Sequence, residues 1–174
     1  MHPEVEQVLH HGPGDHPVLA ERVAALSDET LLWELMSAYN WDEGFTVPLA
    51  VVRHPRCDRA LALRMFWELD DTARLHLSDE AGALREAYSV EARHQPEEFA
   101  VLVAYCTTLV EGLRHGTFPV ARNSFDTGYH ALDDPGLSDR QRTLRAARTR
   151  RARQEFEDAF LHPVVAHPPG PGDR

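Results

Sequence analysis

Apolar residues recur along this chain at a spacing of three or four positions, in several separate segments. That spacing is typical of α-helices that bury one face. The broadest apolar face predicts a helix that begins at Pro96 and stops at Gly116. A short extended piece is predicted at 118–121, and little other strand is expected. The pattern therefore predicts an all-α fold, a compact bundle of six or seven short helices. The apolar face itself comprises Phe99, Leu102, Val103, Cys106, Leu109, Val110 and Leu113.

Residues that favour helix ends divide the remaining pattern. Pro17 suits the first turn of a helix, and Gly44 suits a helix stop. The stretch 48–69 has the rhythm of a helical-repeat unit, although no second copy is evident, so repeat-like pairing of the helices is left open. Side chains able to cap a helix precede four of the predicted helices, at Ser27, Asp58, Ser78 and Ser138.

The chain ends differ in composition from its middle. Residues 1–16 hold prolines, glycines and scattered histidines, and they predict a flexible arm with a short helical turn at 5–9. Residues 17–161 are expected to form a single helical domain whose last helix, from Ser138 to about Leu161, is rich in arginine. Residues 162–174 are rich in proline and glycine and predict a disordered tail.

Charge is unevenly distributed over the 174 residues. All 18 basic residues are arginine, and 28 acidic residues give a formal net charge of −10. Residues 1–137 carry 10 arginines and 23 acids, whereas residues 138–161 carry 7 arginines and 4 acids. An acidic body disfavours nucleic acid and anionic membranes, because both require a positive surface. With no apolar run of 18 residues, no secretory signal and only Cys57 and Cys106, we expect a cytoplasmic protein with reduced thiols.

Two short strings carry a resemblance. The first is Tyr39-Asn40-Trp41-Asp42-Glu43-Gly44-Phe45, and the second is His54-Pro55-Arg56-Cys57-Asp58. Together they resemble a bacterial family known as domain of unknown function 4274, whose members look like YNWDDGF followed by HPxCD, over about residues 30–70. The chain departs from that pattern at Glu43, where the family shows Asp, and at 59–62, where it shows Gly-Thr-Ala-Leu. The resemblance implies no activity, but it marks these strings as candidate binding positions.

The string Asn40-Trp41-Asp42-Glu43-Gly44 admits two interpretations. Its two carboxylates could bind a cation or act as acid and base. Turn chemistry explains the same residues more simply, because Asn40 or Asp42 can accept hydrogen bonds from backbone amides while Gly44 turns the chain. The turn is the favoured interpretation.

The pair His54 and Cys57, with Asp58 adjacent, also has two interpretations. A metal- or thiol-dependent enzyme could be centred on Asp42, His54, Cys57 and Asp58. A small buried cysteine beside an aspartate that caps a helix is favoured instead. The histidines His2, His10, His11 and His16 lack rigid spacing, and Asp70-Asp71 and Asp133-Asp134 are expected to be solvated turns. No metal and no cofactor are therefore predicted.

Arginines recur every third position in the last helix. Arg142, Arg145, Arg148 and Arg151 form this series. The favoured interpretation is a helix whose arginines pair with the acidic body or face solvent. An acidic protein partner for this helix is one alternative. Binding of RNA through residues 140–153 is another, but aromatic residues that would stack on bases are absent until Phe156.

The absence of nucleotide-binding and common hydrolase motifs gives no positive sign of catalysis. Size, acidity and uneven charge favour a non-enzymatic protein-binding module, an adaptor or an immunity-like antidote that recognises a basic protein partner. The enzyme centred on the two strings and the RNA-binding helix remain the alternatives.

Overall fold

In the computed structural model, residues 1–10, 16–68, 72–130 and 135–166 are described. The predicted all-α fold is confirmed, because β-pairing within these segments is limited to an isolated antiparallel bridge between Phe125 and Val164. The described segments contain ten α-helices, more than the six or seven predicted, and one turn of 3₁₀ helix at Trp41–Glu43. The α-helices are α1 (Pro3–Leu9), α2 (His16–Ala24), α3 (Glu29–Ala38), α4 (Thr46–Arg53), α5 (Arg59–Glu68), α6 (Thr72–Ala87), α7 (Ser89–His94), α8 (Pro96–His115), α9 (Asp139–Ala152) and α10 (Asp158–Leu161).

Local capping chemistry sets several of these boundaries. Ser138 and Gln141 form a reciprocal capping box at the start of α9. Gly116 ends α8 in the left-handed conformation, with φ of 66°. At the start of α3, however, Asp28 accepts the capping hydrogen bond from the Thr30 amide, and the predicted cap Ser27 lies one residue before this cap.

Two predicted helix boundaries were wrong. Helix α6 begins at Thr72, so Ser78 lies inside the helix rather than at its start. The last predicted helix does not continue to Leu161: α9 ends at Ala152, and α10 follows as a separate short helix. The predicted extended piece at 118–121 contains no strand.

Helix α4 lies at the centre of the bundle, packed against α2 and α8. Helices α5, α6 and α7 pack on α8, and α1 packs on α3. Pro48 occupies the third position of α4, in the first turn, where its missing amide leaves no hydrogen bond unmade. The predicted apolar face of α8 is buried except at Val103, which is half-buried.

Both chain ends differ from the flexible segments expected from composition. Val5 and Val8 of α1 lie in the hydrophobic core. The start of the expected tail is also docked, since Val164 is buried and exchanges two backbone hydrogen bonds with Phe125. The predicted turns at Asp70-Asp71 and Asp133-Asp134, the residue His11 and the tail segment 167–174 lie outside the described residues.

Among the described residues, no helix is both long enough and apolar enough to cross a membrane.

Candidate functional site

The loop from Asn40 to Gly44 has the geometry of a tight, capped turn. The Asn40 side chain accepts a hydrogen bond from the Asp42 amide at 3.2 Å. Gly44 has φ of 91° and ψ of −162°, a combination that is essentially restricted to glycine. Tyr39 donates its hydroxyl hydrogen bond across the turn to the Gly44 carbonyl at 2.9 Å. Asn40 and Gly44 therefore shape the backbone, while the carboxylates of Asp42 and Glu43 are exposed.

A cluster of aromatic rings anchors this loop to the bundle. The half-buried Trp41 ring lies 5.8 Å from Tyr39 and 6.3 Å from the fully buried Tyr105 of α8. Phe45 lies 5.4 Å from Tyr105 and 6.4 Å from Tyr88, which follows α6. Such ring contacts stabilise a fold beyond their buried area. The chain of rings fixes the exposed acids of the loop beside the end of α6.

His54 ends α4 and is held by backbone groups. Its Nδ1 accepts a hydrogen bond from the Arg56 amide at 3.0 Å. The ring also hydrogen-bonds to the backbone at Ala24, the last residue of α2, and at Leu26 just beyond it. Burial, together with the charge of Arg56, lowers the pKa of His54 despite those backbone bonds. The imidazole is thus neutral at neutral pH, and it links the end of α2 to the end of α4.

Cys57 and Asp58 lie in the protein interior. Burial, reinforced by the adjacent Asp58 charge, raises the pKa of the Cys57 thiol far above its usual range, which makes a nucleophilic thiolate unfavourable. Asp58 Oδ1 accepts the Leu61 amide hydrogen bond at 2.9 Å, which caps α5, and Oδ2 accepts the Asn123 amide at 3.2 Å. Burial raises the pKa of Asp58 although both hydrogen bonds oppose that shift.

The candidate residues of the enzyme hypothesis do not converge on one point. Within the described segments, only one group of three or more His, Cys, Asp or Glu side chains brings its ligand atoms within 4.8 Å of one another, and it excludes Asp42, His54, Cys57 and Asp58. Three of these four residues instead make contacts that hold helices α2, α4 and α5 together.

The arginine-rich helix α9 is partly engaged with its own chain. Arg145 pairs with Asp126 at 3.0 Å and donates to the His130 carbonyl at 3.1 Å. The Arg148 guanidinium lies 4.8 Å from the centre of the Tyr129 ring. Arg142 is half-buried, while Arg151 is exposed. Two members of the predicted series thus contact the connection that precedes α9.

The group that does converge consists of His130, Asp158 and His162. This group was not predicted from the sequence. Asp158 and His162 stand four positions apart, at the start of α10 and just after its end, and this spacing on one helix face was the available signal. His130 comes from the distant connection between α8 and α9. Its ring stacks on that of His162, with centroids 4.0 Å apart and an interplanar angle of 11°.

Comparison with known proteins agrees with the resemblance carried by the two strings. No curated protein and no solved structure matches the chain. A family model described as a domain of unknown function does match, over the segment from Ser27 in front of α3 to Ala104 within α8. The segment contains every residue of both strings, whereas α9, α10 and the His130 group lie outside it. Over residues 27–104, this chain resembles the family described as domain of unknown function DUF4274.

Proposed function

We propose that the protein is a non-enzymatic binding module that recognises a basic protein partner through an acidic face. We define the acidic face as the exposed loop together with the end of α6, helix α7 and the start of α8; its acids are Asp42, Glu43, Glu86, Glu91, Glu97 and Glu98. One observation in the matched segment carries the proposal. The side chains that were candidates for catalysis at positions 54, 57 and 58 hold helices together, whereas the two carboxylates of the loop face solvent.

The elements of the acidic face are neighbours in space. Helices α6 and α7 both pack on α8, and the Trp41, Phe45, Tyr88 and Tyr105 rings connect the loop to this group. Residues 94–98, which span the end of α7 and the start of α8, line a shallow depression of about 280 Å³. A concavity flanked by carboxylates suits a lysine or arginine side chain of a partner.

Charge on these elements is predominantly negative. Six acids stand against Arg85 and Arg93, and the Arg85 guanidinium lies 5.2 Å from the centre of the Phe99 ring. Clustered charge of one sign steers an oppositely charged protein and increases its association rate. An adaptor or an immunity-like antidote would use such a face. The buried, unpaired Cys57 and Cys106 support our inference that the protein acts in the cytoplasm.

The test compares binding partners of the parent with those of a charge variant. Tag-free parent immobilised on beads is exposed to native lysate, and the captured protein is identified and then purified. Its affinity is measured for the parent and for Asp42→Asn/Glu43→Gln. This variant removes two exposed charges and preserves Asn40 and Gly44, which shape the turn. The matched control, Glu4→Gln/Glu6→Gln, removes two exposed charges from α1.

We expect one basic partner whose affinity falls at least about tenfold in the loop variant, since each interfacial charge contributes on the order of 1 kcal/mol. The control should bind like the parent. Raising salt from about 0.1 M to about 1 M should weaken the complex further, because it shortens the screening length to about 3 Å. A salt-insensitive complex would contradict the proposal, as would equal effects of the two variants. Nucleic acid that copurifies with the parent would favour the RNA-binding alternative instead.

A further inference from the structure

The group formed by His130, Asp158 and His162 has the donor chemistry of a metal centre. Its three ligand atoms lie within 4.8 Å of one another, and His130 Nε2 stands 3.9 Å from Asp158 Oδ1. Two imidazoles and one carboxylate suit zinc and the neighbouring transition metals, whereas magnesium and calcium require oxygen ligands. We propose that these three residues bind a divalent transition-metal ion, with zinc as the best match.

The strongest observation concerns His130. Its Nε2 is inaccessible to solvent, and no hydrogen-bond partner lies within reach among the described residues. A buried polar atom without a partner costs roughly 1–3 kcal/mol and requires an explanation. A metal ion coordinated by this nitrogen supplies one, since the neutral imidazole then donates its lone pair to the ion.

Hydrogen bonds join the two backbone segments that carry the three ligand residues. The Thr127 hydroxyl donates to the Leu161 carbonyl at 2.5 Å, and Phe125 bridges to Val164 through two backbone hydrogen bonds of 2.9 Å. The His130 carbonyl accepts from Arg145. The connection that carries His130 is therefore attached directly to the α10 segment that carries Asp158 and His162. This preorganisation reduces the entropy lost when the ligands gather around an ion.

The two imidazole rings lie face to face, with their centroids 4.0 Å apart. Ligand atoms around tetrahedral zinc stand about 3.3 Å apart, given bonds of about 2.0–2.1 Å. The exposed His162 ring must therefore tilt out of its stack when the ion binds, so that the two lone pairs converge.

Arg153 competes with the ion for the carboxylate. Its Nε and Nη2 donate to the two Asp158 oxygens at 2.8 and 3.2 Å. That pair orients Asp158 and keeps its pKa below the usual value, but its positive charge also repels a cation. Substitution of Arg153 by a neutral residue should therefore strengthen metal binding, which is the opposite of what loss of a ligand does.

The test titrates Zn²⁺ into tag-free, chelator-treated full-length protein and measures affinity by isothermal calorimetry. We expect one high-affinity equivalent. His162→Ala should reduce its affinity by at least about 100-fold, the upper end of the loss seen when only a supporting group is removed. Arg153→Gln should bind several-fold more tightly than the parent. The matched control His2→Ala/His10→Ala removes two histidines of the N-terminal segment and should leave the affinity unchanged.

Two results would overturn the proposal. One is loss of Zn²⁺ binding in the control with retention in His162→Ala, which would assign binding to the N-terminal histidines. The other is weaker or unchanged binding in Arg153→Gln, which would contradict the competition between Arg153 and the ion for Asp158. Circular dichroism verifies the fold of each variant. If His162→Ala does not fold, the histidine ring resonances of the parent are followed by NMR during the Zn²⁺ titration. Shifts at His130 and His162 support the site, and shifts confined to His2 and His10 refute it.

Discussion

Asp58 offers the sharpest test of whether the matched segment uses its acidic residues for structure or for chemistry. The residue is fully buried, caps α5 through the Leu61 amide and accepts the Asn123 amide through its second oxygen. Loss of an N-cap costs about 1 kcal/mol, and an amide left buried without an acceptor costs roughly 1–3 kcal/mol. Asp58→Ala should therefore reduce the free energy of unfolding by about 2–4 kcal/mol.

Asp58→Asn separates these contributions. The asparagine oxygen can retain the Leu61 cap, but its amide group then faces the Asn123 N–H, so that one donor loses its acceptor. Removal of the buried charge partly offsets that loss. We expect a cost of about 1 kcal/mol, at least about 1 kcal/mol less than for alanine. Urea unfolding followed by helical circular dichroism measures both values at neutral pH.

The pH dependence of the parent gives an independent check. Burial raises the pKa of Asp58 above its value in the unfolded chain. Between these two pKa values the native state holds more protons than the unfolded state, so the free energy of unfolding falls as pH rises through that window. The fall should begin near pH 4, about the unfolded value, and Asp58→Asn should lack this contribution. Equal stability of the parent and both variants would refute the structural role.

Three further predictions concern packing and reactivity. Gly112→Ala would place a methyl carbon 2.8 Å from Cζ of the buried Phe118 ring. The resulting steric overpacking should destabilise the fold by about 1–3 kcal/mol, which outweighs the gain in helix propensity of about 1 kcal/mol. Thermal unfolding should show a net loss that Phe118→Leu relieves, and a stabilised single variant would contradict the geometry. Burial raises the pKa of Cys57, and raises that of Cys106 to about 12. Both thiols should therefore resist alkylation by iodoacetamide in the native protein at neutral pH and react in urea. Rapid labelling of Cys57 in the native protein would support the thiol-enzyme alternative. Arg59→Met removes the hydrogen bonds from the guanidinium to the carbonyls of Leu113 and Ala159, which should lower the free energy of unfolding by about 2 kcal/mol. Amide hydrogen exchange should accelerate in α10 and stay constant in α1. Unchanged exchange in α10 would show that Arg59 does not stabilise that helix.

Several features governed by neighbouring residues were predicted from the sequence, although Ser27 and Ser78 do not cap helices. The cap at Ser138, the stop at Gly116, the turn at 40–44 and the cap at Asp58 all depend on hydrogen bonds within a few positions. The helical spacing of apolar residues likewise predicted the buried face of α8.

Features governed by distant contacts escaped prediction. No proline or glycine separates α9 from α10; Phe156 and Phe160 near this break instead pack on Phe66 of α5. The prolines, glycines and histidines of residues 1–16 predicted a flexible arm, yet Val5 and Val8 of α1 are buried in the core. His130 meets His162 only because the chain folds back, so no local pattern could pair them.

The position of Tyr105 determines where this domain can be truncated. The family match ends at Ala104, in the middle of α8, one residue before the ring that contacts both Trp41 and Phe45. A fragment trimmed to the matched boundaries would also lose Leu109, Val110 and Leu113 from the buried face of α8, the helix on which α4 packs. We therefore expect the cooperative folding unit to extend beyond the matched segment, so that insertion or truncation at that boundary should destabilise the loop that carries the resemblance.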